Sequence, residues 1–174
     1  MITSKESLKN DSESAKYRIS PKRIEYVKKH FEGSTIAGSC FYSNVFQDSL
    51  ELMNYINSRI PDIIIQQENQ TQAHLFKAEF AIGTCALSNL NTLKNPDIQL
   101  ETRNGISTRF AWVDALPETN HFCVIVEGSH SPFEIITLFP GEYAPPFPHA
   151  NQSEKANKES TKFWEKHVLV KKRV

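Results

Sequence analysis

Helical spacing of apolar residues marks three stretches of the chain, and strand spacing dominates between the second and third. Ile24, Val27 and Phe31 recur on one face behind Ser20-Pro21. Serine suits an N-cap and proline a first helical position, and Gly33 would close the helix. Asp48 and Glu51 make a capping-box-like start to a second helix. Its buried face would be Leu52, Met53, Ile56 and Ile60, and Pro61 would end it. Ser153 predicts a third helix reaching to about Lys166, anchored by Phe163 and Trp164, with Lys162 and Lys166 suiting the negative end of its dipole.

Strand signals fill the middle. Ile63-Ile64-Ile65 reads as a short strand and 66–73, rich in Gln, Asn and Thr, as a loop. Strands are predicted near 79–87, 97–102, 106–115, 121–128 and 133–139, with no helical pattern between them long enough for a crossover, so an antiparallel meander follows. The predicted fold class is α+β: an antiparallel sheet of four to six strands with two N-terminal helices and one C-terminal helix. Residues 1–16 are polar and predict a disordered N-terminal segment, leaving 17–174 as a single α+β domain.

The hairpin at Asn104-Gly105 allows two registers. A two-residue turn pairs Arg103 with Ile106 and sets Leu100 opposite Arg109. A three-residue loop pairs Thr102 with Ile106, and then gathers Ile98, Leu100, Ile106, Phe110 and Trp112 on one face and Gln99, Glu101, Ser107 and Arg109 on the other. Because register follows the buried face, the second is the expectation.

The stretch Phe133–Val170 looks like the piece the rest is built around: a buried strand, a stop at Pro140-Gly141, an extended arm held by Pro145, Pro146 and Pro148, the third helix, and a closing strand. The arm either straps a surface segment over the core or walls a cleft.

Composition narrows the class. At 174 residues with 39% hydrophobic and 23% charged content, the chain can bury a substantial core. No apolar run approaches the roughly 18 residues that span a bilayer, and the first ten residues are too polar for a signal peptide. Cys40, Cys85 and Cys123 are odd in number and far apart, which favours reduced thiols and a cytoplasmic location. The zero net charge divides into basic ends and an acidic middle: residues 31–154 carry 5 Lys/Arg against 14 Asp/Glu, a net of −9. Basic ends fit either a phosphate-facing surface or solvated helix faces.

Candidate chemistry is sparse. None of the six histidines falls in a zinc-type spacing, no cofactor motif is present, and glycine-rich nucleotide loops and nucleophile elbows are absent. Arg109, mid-strand and diagonal to Glu101, could hold a phosphate or carboxylate, or make a cross-strand ion pair. His74 and His121 are the best-placed acid–base candidates, with Lys77 as a second cation. His30 ends a helix, where an imidazolium is favoured for structural reasons.

The run IITLFPGEYAPPFP, residues 135–148, resembles the closing strand of bacterial polymorphic-toxin ribonucleases of the barnase/EndoU/RelE-like superfamily, with Thr137, Phe139, Pro140 and Gly141 carrying the likeness. The resemblance implies metal-independent cleavage of RNA, a site on the sheet face, and delivery into another cell. Thr137 matches the family's strand-end hydroxyl. His74, His121, Arg109 and Lys77 are placed on chemical grounds: His74 and His121 as base and acid, Arg109 and Lys77 binding phosphate. The rival expectation is a non-catalytic protein-binding module, immunity-type or effector scaffold, whose partner is a protein and whose anchors are Tyr143, Phe147 and Trp164.

Overall fold

The structure, a computed structural model, describes residues 15–31, 38–103 and 105–174. In chain order the elements are β1 (Tyr17–Arg18), α1 (Pro21–Lys28), β2 (Cys40–Phe41), α2 (Ser49–Asn57), β3 (Ile63–Gln66), β4 (Thr71–Lys77), β5 (Gly83–Thr84) and β6 (Leu87–Asn89). There follow β7 (Ile98–Arg103), β8 (Ile106–Val113), β9 (Glu118–Thr119), β10 (His121–Glu127), β11 (Phe133–Pro140), α3 (Glu154–Lys166) and β12 (His167–Lys172). Gly33 and most of the N-terminal segment expected to be disordered lie outside the described residues.

The strands form three sheets: β1-β11-β10-β4-β3, β6-β12-β8-β7 and β2-β5-β9. This overturns the expected single antiparallel sheet. The fold is mostly β, with three sheets and mixed pairing, because both ends of the chain add strands that no hairpin pattern announces. Near the N-terminus, β1 lies parallel to β11, and at the C-terminus β12 inserts between β6 and β8, parallel to β8. The consecutive hairpins β7-β8 and β10-β11 belong to different sheets. Sequence adjacency produces a hairpin but does not say which sheet it joins.

Two other expectations are corrected. The predicted loop 66–73 gives way at Thr71 to β4, whose Ala73, His74 and Phe76 are buried although its start is polar. The predicted strand 79–87 is instead an irregular passage and two short strands. Gly83 explains part of the irregularity: a β-carbon there would lie 2.1 Å from the Cys40 carbonyl oxygen, so only glycine lets β5 approach β2 so closely.

The hairpin takes the two-residue turn, pairing Arg103 with Ile106 and Leu100 with Arg109, with Gly105 at φ +77° and Asn104 outside the described residues. The three-residue register assumed a single buried face. Phe110 and its neighbour Ala111 point to opposite faces of β8 and both are buried. One face carries Lys171 over the Phe110 ring and paired with Glu101; on the other, Ala111 packs with Val168 and Val170. Arg109 and Glu101 consequently lie on opposite faces.

The main core fills the space between the five-stranded sheet and α1 and α2, with Val27, Leu52, Ile56, Phe76, Phe122, Val124 and Leu138 at its centre. Asp48 caps α2, its carboxylate accepting from the Glu51 N–H at 2.9 Å, while the Glu51 carboxylate accepts from the Gln47 N–H at 2.8 Å. α2 ends at Asn57, short of Ile60, which leaves Ile60 out of the buried face expected for it and 77% exposed. At the far end, α3 holds the proline arm. Trp164 Nε1–H donates to the Pro145 carbonyl at 3.0 Å, the Ser160 hydroxyl donates to the Pro146 carbonyl, and Phe147 stacks on Trp164 at 4.0 Å. Trp164 is buried, so it clamps the arm and is not the exposed anchor the sequence suggested. Among the described residues no helix is long and apolar enough to cross a membrane.

Candidate functional site

The five residues singled out for chemistry are dispersed. His74 on β4 pairs with Val124 and faces the main core; it is 1% exposed. Its Nε2 lies 2.9 Å from Gln72 Oε1, an acceptor, so Nε2 carries the proton and Nδ1 accepts from the Tyr17 hydroxyl at 2.7 Å. Burial pulls the His74 pKa below its usual value. That imidazole is a satisfied core group with no route to a substrate.

Lys77 and His121 pair directly on the opposite face of the sheet. Thr137 shares that face but stands opposite Ile125, four residues from His121 along β10, or roughly 13 Å at a strand's rise. Arg109 belongs to another sheet, where its guanidinium donates to the His167 carbonyl at 3.3 Å beside Phe147 and Trp164. The structure therefore brings Lys77 and His121 together and leaves His74, Arg109 and Thr137 apart from them and from one another. His30, expected as a charged helix-terminal group, is half-buried with Nδ1 2.9 Å from the Ser39 carbonyl, and its partial burial lowers its pKa.

His121 opens onto a cleft of about 650 Å³ that sequence reasoning did not foresee, because its walls come from β6, β9, β10 and β12 and the loops beside them. His167 is the second imidazole there. Its Nδ1 donates to the Phe163 carbonyl at 2.8 Å and its ring stacks on Phe163 at 4.0 Å, which fixes the tautomer and leaves Nε2 to accept when the ring is uncharged. Glu79, Glu118 and Glu142 line the same cleft, and no Lys or Arg does among the described residues. Three carboxylates without a cation repel a phosphodiester. Among the described residues no group of three or more His, Cys, Asp or Glu is placed to hold a metal ion.

A different surface stands out at the sheet edge. Among the described residues β3 is the last strand of its sheet and pairs only with β4, so by the alternation of an antiparallel ladder half of its N–H and C=O groups face outward. Ile63 is 57% exposed and Ile64 50%, and Ile60 stands three residues before them. Edge strands are ordinarily guarded by charge, proline or a bulge. No charged residue occurs between Asp62 and Glu68, and the β3–β4 register is regular. The other long edge, β7, also exposes Ile98 and Leu100 but carries Glu101 and Arg103 in its sequence. The sequence signal for β3 was the uncharged run Ile63–Gln67, legible as a strand but not as an edge.

No protein-family model matches the chain, and no curated protein matches it. Among solved structures it is similar to a crystal structure of a conserved hypothetical protein from Toxoplasma gondii ME49, at 11% identity and a TM-score of 0.48, covering 71% of this chain and 86% of that one.

Proposed function

We propose that this chain is a protein-binding module that accepts an extended strand of a partner protein along β3. The observation that supports this reading most is the unguarded edge, whose outward backbone groups and exposed Ile63 and Ile64 offer both the hydrogen bonds and the apolar contact of strand addition. A ribonuclease would have to work from Lys77 and His121 beside three carboxylates, at a cleft that no Lys or Arg lines among the described residues.

The test is a selection of displayed random linear peptides on the folded protein, followed by amide hydrogen exchange with and without a selected peptide. Exchange should slow at the Ile64 and Gln66 amides, and Ile64→Lys should abolish binding while leaving the fold intact. Protection confined to strands other than β3 would overturn the reading.

A further inference from the structure

Beside β3, on the face of the sheet turned toward the proline arm and α3, lies a second recess of about 730 Å³. That is within the size range of pockets that enclose most of a small ligand's surface. Its apolar walls are Ile65 and Leu75 from the sheet, Tyr143 and Pro145 from the arm, and Phe163 from α3. Two polar residues of this groove are unusual. Gln67 Nε2 and Gln152 Oε1 are buried and have no hydrogen-bond partner among the described residues. A buried amide left unmatched is destabilising, and native proteins keep few of them. One orphan is a donor and the other an acceptor.

A peptide group supplies the complement of both, a carbonyl for the Gln67 amide and an N–H for the Gln152 oxygen. We infer that the groove binds an extended segment of a protein partner, with aliphatic side chains against the apolar walls and its backbone satisfying Gln67 and Gln152 once these side chains turn toward it. The inference rests on the protein-binding reading and adds the chemistry of the partner. Continuity supports it: Ile65 and Gln66 belong to β3 and also line the groove, so a segment added to the edge can carry on into the recess. Charge narrows the segment further. Glu68, Glu142 and Glu159 line the groove against Lys155, so a basic residue in the segment is favoured.

The experiment uses peptides selected by display on the full chain, with affinities measured for wild type, Gln67→Leu, Gln152→Leu and Ile64→Lys. Each glutamine variant should weaken binding about tenfold, the loss expected for one hydrogen bond. Both should melt at or above the wild-type temperature, because leucine removes an unsatisfied buried amide. The Gln67 side-chain amide resonances of the wild type should also shift on adding peptide, a readout that survives if a variant fails to fold. Selected peptides should be enriched in Lys or Arg beside aliphatic residues. Unchanged affinity in both glutamine variants with loss in Ile64→Lys would overturn the groove and leave edge binding standing. Failure to enrich any peptide would overturn both. A concentration-dependent dimer in sedimentation that Gln67→Leu dissociates would make the occupant a second copy, and the partner-peptide inference would be wrong.

Discussion

The Tyr17 hydroxyl donates to Nδ1 of His74 across 2.7 Å, joining the first described strand to β4, three places away in the five-stranded sheet. Tyr17 also packs edge-on against the His74 and Phe76 rings, and burial raises its pKa to about 12. The pair ties the N-terminal end of the fold down. Tyr17→Phe keeps the ring and orphans the Nδ1 acceptor, so it should destabilise the protein by about 1–3 kcal/mol, read as a lower urea midpoint with an unchanged slope. An unaltered midpoint would show that the bond contributes nothing.

Stability should also fall with pH through the histidine range. Burial lowers the folded pKa of both His74 and His30. In the unfolded chain these groups titrate near 6.5. Below that value the unfolded state binds more protons than the folded one, so stability is fully present above it and declines as pH falls. Urea midpoints at pH 7.5 and 5.5, about one unit either side of the free imidazole's ordinary value, should differ in that direction, and His30→Gln should reduce the difference. A midpoint that rises on acidification would contradict the assignment of either ring as neutral.

Trp164 should be the clamp of the proline arm. Trp164→Ala removes the stacking partner of Phe147 and the donor to the Pro145 carbonyl. A loss of about 3–5 kcal/mol is expected for truncating a buried tryptophan. Limited proteolysis should then cut within 141–150 before it cuts elsewhere, whereas cleavage spread evenly over the chain would mean that the arm is held by other contacts.

RNA should survive the protein. With His74 sealed in the core and Arg109 committed to another sheet, total RNA incubated with the wild type in EDTA across the neutral range should stay intact. Cleavage that disappears in His121→Ala would show that the Lys77–His121 pair is catalytic after all.

Local chemistry was legible in the chain wherever one residue type has one job. Asp48 caps α2, Ser153 accepts from the Ala156 N–H to start α3, and the alternating runs at 106–113, 121–127 and 133–140 are strands. The hairpin register was not legible, because a strand buried on both faces erases the alternation that specifies it. The candidate site was missed for a related reason. A run such as Ile63-Ile64-Ile65 reads the same whether the strand sits mid-sheet or at an edge, and only the position of β3 beyond β4 exposes it. Likewise Gln67 and Gln152 lie far apart in sequence and share a groove only because α3 folds the arm back against the sheet. The sequence by itself determined the caps at Asp48 and Ser153, the strands β3, β7, β8, β10, β11 and β12, and the reach of α3, since these depend on hydrogen bonds and periodicities within a few residues. The tertiary structure alone decided the division into three sheets, the dispersal of His74, Arg109 and His121, and the exposed edge, because each depends on which distant strand wins a place in the ladder.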